Sequence, residues 1–357
     1  LTQNPRIPEL NGLRGVAILL VLYTHSLGAQ VVKATGFPWI INDGWTAVTL
    51  FFIHSGFVLY LSYATGRRSM RGLADAKGFY AHRWRRLYPL FMINTLVGGF
   101  LAAGASLGSV KDLVLTLTTL SMFSQRTYFP PQNPVLWSLV LEIWFSLLFP
   151  LLALAVARFG LKRTALAVFI LAFATRLAGA LYSASWVGRD LVSNAVLARL
   201  DDFMLGMVLC RLHLDPPAWL ERASKVLLPV AVLALLGAFL GGDFRDTITY
   251  SAMGYPWVTT LLQLGYACLI LAGLRGQDWF RACMRFRPLQ VCGMACFSLY
   301  VWHSLAIQAL LQPWTLSGFA SFLVVTIALS MLSYRYIEFG QEGDLKRLFW
   351  PPAWGTP

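Results

Sequence analysis

The chain is patterned as long apolar runs separated by short polar turns. From Gly15 almost to Tyr336, stretches long enough to cross a bilayer as helix, which takes about 20 residues, recur with no extended polar segment between them. The runs are 13–32, 45–65, 87–104, 109–124, 135–157, 163–182, 195–212, 225–241, 257–274, 289–311 and 317–336. The pattern predicts an all-α polytopic membrane helix bundle: one compact membrane domain over 1–340 and a short tail over 341–357.

Charge placement changes the count of crossings. If every run crossed, the turn carrying Arg158, Lys162 and Arg163 would lie opposite the basic loop between Arg67 and Arg86, against the positive-inside tendency. The conflict disappears if the short, Ser- and Thr-rich run 109–124 is a re-entrant or surface helix backed by other helices. About ten transmembrane helices then remain, both termini are cytoplasmic, and most Lys and Arg fall on the inner side. No signal peptide is expected at the N-terminus, because the first apolar stretch is too long for an h-region and lacks a small-residue cleavage site.

Composition agrees with this reading. Of 357 residues, 57% are hydrophobic and only 13% charged, and the mean hydropathy is +0.61, so the chain would not stay dissolved. In that setting the net charge of +13 reports membrane sidedness and lipid contact, not nucleic acid. The five cysteines, Cys210, Cys268, Cys283, Cys292 and Cys296, read as helix filler. Cys292 and Cys296 would share a helix face, yet two ligands fall short of a zinc site, and no metal is indicated.

Ionisable groups inside the apolar runs are costly, at least ~2.5 kcal/mol each near the bilayer centre, and so mark a pathway or site. The spans hold Arg14, His25, His54, Glu142, Arg176, Arg199, Asp201, Asp202 and His303. Arg14 and His25, 11 residues apart, fall close to three full turns apart on one helix face, separated by ~16 Å along the axis. An elongated anionic ligand that meets the arginine could reach the level of the histidine, whose imidazole is a natural base for a hydroxyl. The structural alternatives are an interfacial cation, a hydrogen-bonded core histidine and, for Arg199 with Asp202, a simple ion pair. His54, beside Ser55 and Gly56, reads as a site of close helix packing. Arg176 has no evident partner in sequence.

These residues stand in segments that resemble the acyltransferase-3 family of membrane acyltransferases. ELNGLRGVAILLVLYTH carries that family's Arg-x10-His as Arg14 and His25, and FFIHSGFVL is similar to its FF-x-x-SGF segment. RWRRLYPLF resembles the basic stretch before span 3, VLWSLVLEIWFSLLFP its W-S-L-x-x-E element, ARLDDFMLGM its R-L-x-E/D-F element, and FSLYVWH and YRYIE its closing ones. Gly340 stands where a proline often follows the last glutamate, and His54 occupies a variable position with no family role.

The resemblance implies transfer of an acyl group, commonly acetyl, from acyl-CoA to an acceptor hydroxyl, usually on a carbohydrate. On it, His25, Arg14, Glu142 and Asp202 are the expected catalytic residues. Arg14, Arg83, Arg85 and Arg86 are expected to hold the acetyl-CoA donor through charge-assisted pairs, with contact to anionic lipid as the cluster's other reading. Trp137, Ser138, Arg199, Tyr300 and His303 are expected at the acceptor, and Glu142, Asp202 or His303 to orient the imidazole or the acceptor. The acceptor is expected to be a lipid-linked glycan of a surface polysaccharide or O-antigen, modified without a C-terminal hydrolase-like domain, in a bacterial inner membrane. A lipophilic small molecule such as an antibiotic is the alternative acceptor. A proton-coupled transporter is the rival outside acyl transfer, disfavoured because the chain shows no internal repeat.

Overall fold

The computed structural model describes residues 7–36, 44–66, 68–70, 73–101, 108–182, 186–243 and 254–338. Arg67, Arg71, Arg245, Gly340 and the expected tail over 341–357 lie outside the described residues.

Helix α1 (Pro8–Tyr23) opens with proline in its first turn, where a missing N–H costs nothing, and passes through a π-helical turn (Thr24–Gly28) into α2 (Ala29–Thr35). Next come α3 (Ala47–Ala64), α4 (Leu73–Leu101), α5 (Gly108–Leu117), α6 (Leu136–Phe159) and α7 (Leu161–Tyr182). The short α8 (Trp186–Ser193) leads to α9 (Val196–Leu214), α10 (Ala218–Ala223) and α11 (Leu227–Asp243). The chain closes with α12 (Gly254–Arg275), α13 (Asp278–Met284), α14 (Arg287–Met294), α15 (Cys296–Leu310) and α16 (Leu316–Ser333), followed by a second π turn (Tyr334–Glu338). Thr315 caps α16 by accepting from the Gly318 N–H at 3.0 Å.

The bundle is an all-α, multi-pass membrane architecture, but the expected ten crossings are too many. Among the described residues, six helices are long and apolar enough to cross, seven if a bent pair counts as one. Three apolar runs form helices that fall short for identifiable reasons. The first half of α4 carries Lys77, Arg83, Arg85 and Arg86; α9 carries Arg199, Asp201, Asp202 and Arg211; and α11 is 17 residues long. The run 289–311, read as one span, is broken at Ala295 into α14 and α15, which meet at 74°. Cys292 and Cys296 therefore lie on different helices and do not share a face. The run 109–124 yields only the ten-residue α5 and a 3-10 turn (Ser121–Phe123), too short to cross.

Large apolar side chains point outward all along the helices, including Leu151, Leu166, Ile170, Leu233 and Val324, as lipid contact requires and water would not tolerate in such number. What holds the helices together is close packing plus polar cross-links. A Cβ added at Gly56 of α3 would stand 1.9 Å from the Phe203 carbonyl oxygen of α9, and one at Gly206 of α9 would stand 2.0 Å from that of Ile53. The two backbones touch because neither glycine has a side chain, as the Ser55-Gly56 reading anticipated.

Around α9 the buried charges are paired. Arg176 of α7 makes a two-pronged contact with Asp201 at 2.9 and 2.7 Å and also donates to the Ala198 carbonyl at 2.6 Å. Arg199 pairs with Asp202 at 2.9 Å and donates to Thr49 of α3 at 2.6 Å, while Gln263 of α12 donates to Asp202 at 2.8 Å. Four helices are thus joined through two arginine–aspartate pairs that are almost wholly buried.

Candidate active site

A cavity of about 130 Å³ opens between α1, α3, α4, α6 and α15. Helical spacing sets its lining: Arg83 and Arg86, Ser138 and Glu142, and Cys296 and Tyr300 stand three or four residues apart and so share faces. Arg14 completes it from α1, His54 and Ser55 from α3. Three guanidiniums and one carboxylate line the space, which leaves it strongly positive.

Glu142 organises one wall. Its Oε1 accepts from the Arg83 Nη2 at 2.7 Å and from the Ser55 hydroxyl at 2.8 Å, while Arg83 Nε donates to the Ser146 hydroxyl at 2.9 Å. On the opposite wall Arg14 donates to the Cys296 sulfur at 2.7 Å. The positive field reaches His82, ahead of the apolar part of α4. Partial burial, and then Arg68, Arg86, Arg83 and Arg85, push that imidazole down to about 4.

Further along α1 stands a histidine pair. His25 sits in the π turn, where the ladder of backbone bonds is loosened and side chains replace part of it: its Nδ1 contacts the Val21 carbonyl at 3.0 Å, and Ser26 donates to the Leu22 carbonyl at 2.6 Å. His303 of α15 places its Nε2 3.3 Å from the same Nδ1, with ring centroids 5.1 Å apart, and its own Nδ1 lies 2.6 Å from the Tyr300 carbonyl. The bonding assigns the protons: His303 carries one on Nδ1 for the Tyr300 carbonyl, and His25 carries one on Nδ1 between Val21 and His303. That leaves the lone pair of His25 Nε2 as the basic atom of the pair, on a side chain that remains accessible.

The cavity and the histidine pair are ranged along the same two helices. Arg14 meets Cys296 and His25 meets His303, and those partners, seven residues apart, fall on one face of α15. Tyr300 links the two. Its phenol lines the cavity and is bonded to the Ser138 hydroxyl at 2.7 Å and the Val135 carbonyl at 3.1 Å, while its carbonyl holds His303. Neither His25 nor His303 lines the cavity itself. Asn133 and Asn94 fix this part of α15, both donating to the Val301 carbonyl, at 3.0 and 3.1 Å, with Asn133 also donating to Asn94 at 2.8 Å.

The remaining expected site residues lie elsewhere. Of Glu142, Asp202 and His303, only His303 contacts His25. Asp202 and Arg199 are held in the buried cross-link around α9, Arg85 lines a separate groove outside the cavity, and Trp137 packs 6.0 Å from Tyr128 and 6.2 Å from Phe129. Sequence reading passed over three cavity neighbours. His54 was set aside as packing and Cys296 as filler, and Asn133 sat unremarked before an apolar run, although a buried asparagine there signals a polar network. Among the described residues no group of three or more His, Cys, Asp or Glu stands close enough to hold a metal.

Known proteins are similar to this chain in sequence. An O-acetyltransferase of Staphylococcus aureus strain NCTC 8325, OatA, is 24% identical over 368 residues, covering 94% of this chain and 57% of its own. A protein of strain COL, provisionally named an O-acetyltransferase, is 24% identical over 386 residues, covering 98% of this chain and 59% of its own. The chain therefore spans less than two thirds of the length of these relatives. No solved structure matches. The acyltransferase domain of the acyltransferase-3 family matches residues 7–335, nearly the whole chain, and the chain belongs to that family.

Proposed function

We propose that the chain is an O-acyltransferase that moves an acyl group, acetyl by preference, from cytoplasmic acyl-CoA to an acceptor hydroxyl. The observation that carries the reading is the pairing of α1 with α15, which ranges a guanidinium-lined cavity and a histidine with a free basic nitrogen along one seam. Arg14, Arg83 and Arg86 provide the positive surroundings that a donor rich in phosphate and a departing thiolate require. His25 Nε2 takes the proton of the acceptor hydroxyl, the oxygen attacks the thioester carbonyl, and the carbon–sulfur bond breaks as CoA leaves as thiolate. His303 receives the hydrogen bond from His25 Nδ1 and holds the ring in the required tautomer, so it is a positioning residue. Ser138 and Tyr300 line the cavity and the Tyr300 carbonyl holds His303, so Tyr300 is the residue that joins the donor side to the histidines in this scheme. Asp202 and Arg199 have a structural place in this scheme.

The orientation that suits it puts the basic end of α4 and both termini in the cytoplasm of a bacterium, with the histidine pair towards the opposite leaflet. A carbohydrate carried on lipid, such as a unit of a surface polysaccharide, is the acceptor class that fits a site reached from within the membrane; the Staphylococcus relatives are named for O-acetyl transfer. The test incubates purified protein in detergent with labelled acetyl-CoA and lipid-linked glycans, comparing wild type with His25→Ala. Label reaching the glycan in wild type and not in the variant is expected; equal transfer by both removes the histidine from the chemistry.

A further inference from the structure

A second, larger space lies outside the candidate active site. It is a groove of about 560 Å³ between the basic half of α4 and the middle of α6. Its polar rim carries Lys77 and Arg85, both exposed, and no carboxylate lines it. Among the described residues neither cation makes an ion pair, whereas Arg83, at the inner edge, is already bonded to Glu142.

The other walls are apolar and aromatic. The Trp84 ring, 55% exposed, stacks on Tyr88 at 3.7 Å, and the Tyr80 hydroxyl donates to the Leu147 carbonyl across the groove. Trp84, Tyr88, Met92 and Leu96 recur at four-residue spacing on one face of α4, and beside them α6 exposes Leu147 and Leu151. The groove therefore opens onto the outward apolar surface of the bundle, with two uncompensated cations at one end and a Trp–Tyr pair where such rings gather at a membrane interface.

We propose that this groove binds an anionic phospholipid, its phosphate held by Lys77 and Arg85 and its acyl chains lying against Trp84, Leu147 and the exposed α4 stripe. A headgroup phosphate supplies the charge the two side chains lack, and hydrocarbon suits the walls, where the polar nucleotide end of CoA would face lipid. Arg83 lines both this groove and the inner cavity, so the bound lipid stands one guanidinium away from the site of the donor.

Binding is read without turnover, so the outcome is independent of the acyl-transfer reading. Purified protein is titrated with phosphatidylglycerol or phosphatidylcholine and retained lipid counted by native mass spectrometry. The comparison is between wild type, Lys77→Gln/Arg85→Gln, and Arg158→Gln/Lys162→Gln, which removes two cations from a different turn. Wild type and the second variant are expected to prefer phosphatidylglycerol, and the first to lose about fivefold in affinity per cation, about 1 kcal/mol each.

Wild type alone gives an independent reading that no folding defect can mimic: phosphatidylglycerol with a photoactivatable headgroup should crosslink to residues 76–88. Equal loss in both variants, crosslinks confined to other segments, or displacement of the lipid by adenosine 3′,5′-bisphosphate would each overturn the proposal, the last by making the groove a nucleotide site.

Discussion

At the scale of the residue, His25 and His303 are distinguished by which nitrogen each has committed. With Nδ1 of His25 engaged by Val21 and His303, Nε2 is the atom left for the proposed base, and on that proposal His25→Ala should lower kcat by about 10²- to 10⁴-fold, the usual worth of a general base. His303 contacts the His25 ring and the Tyr300 carbonyl and does not line the cavity. Replacing it with alanine should slow turnover while leaving the KM for acetyl-CoA near its wild-type value. His303→Gln, whose carbonyl oxygen can still accept from His25 Nδ1, should recover part of the loss. A KM that rises as kcat falls would place His303 at the donor and withdraw its positioning role. Arg14, half-buried and, among the described residues, bonded only to a cysteine sulfur, keeps donors for a ligand. Arg14→Lys retains the charge without the fork, and should raise the KM for acetyl-CoA less than Arg14→Ala does.

At the scale of the element, α9 is fixed by contacts that leave no room for substitution on one side only. Arg176→Met strips the partner from Asp201, a carboxylate with no exposed surface, and should cost about 3–5 kcal/mol of stability in a denaturant titration. Arg176→Met with Asp201→Leu, which removes both charges, should regain most of that loss. If the double variant is as unstable as the single, the pair is not the cross-link described above. On the α3 side, Gly206→Ala drives a methyl group against the Ile53 carbonyl, and separation of the two helices should lower thermal stability by about 1–3 kcal/mol. The break between α14 and α15 and the π turn between α1 and α2 act at the same scale. Each changes the direction or phase of a helix beside the site, and neither is a matter of composition.

At the scale of the whole molecule, the proposed orientation is open to a direct measurement. In a cysteine-free background in intact cells, a membrane-impermeant maleimide should label Lys33→Cys and spare Lys77→Cys; the reverse pattern would invert the bundle and detach the cavity from cytoplasmic acyl-CoA. The apolar runs, their basic turns and the Arg-x10-His segment were legible without coordinates. Hydrophobic length fixes helix and membrane, and an intramembrane charge announces itself by its cost. The family followed from ordered motifs. The number of long apolar helices did not, because a run of given length does not say whether its helix bends, as at Ala295, or gathers charges that pair with another helix, as in α9. Arg176 found Asp201 25 positions away and His25 found His303 278 positions away, separations across which no helical period carries information. Sequence by itself determined which groups the membrane would hold and which of them share a face of one helix, since both depend on local spacing and transfer energy. Only tertiary structure decided which faces meet, and hence that His54 and Cys296 join the cavity while Asp202 and Arg199 serve a cross-link, because contact between helices is set by packing of the whole bundle.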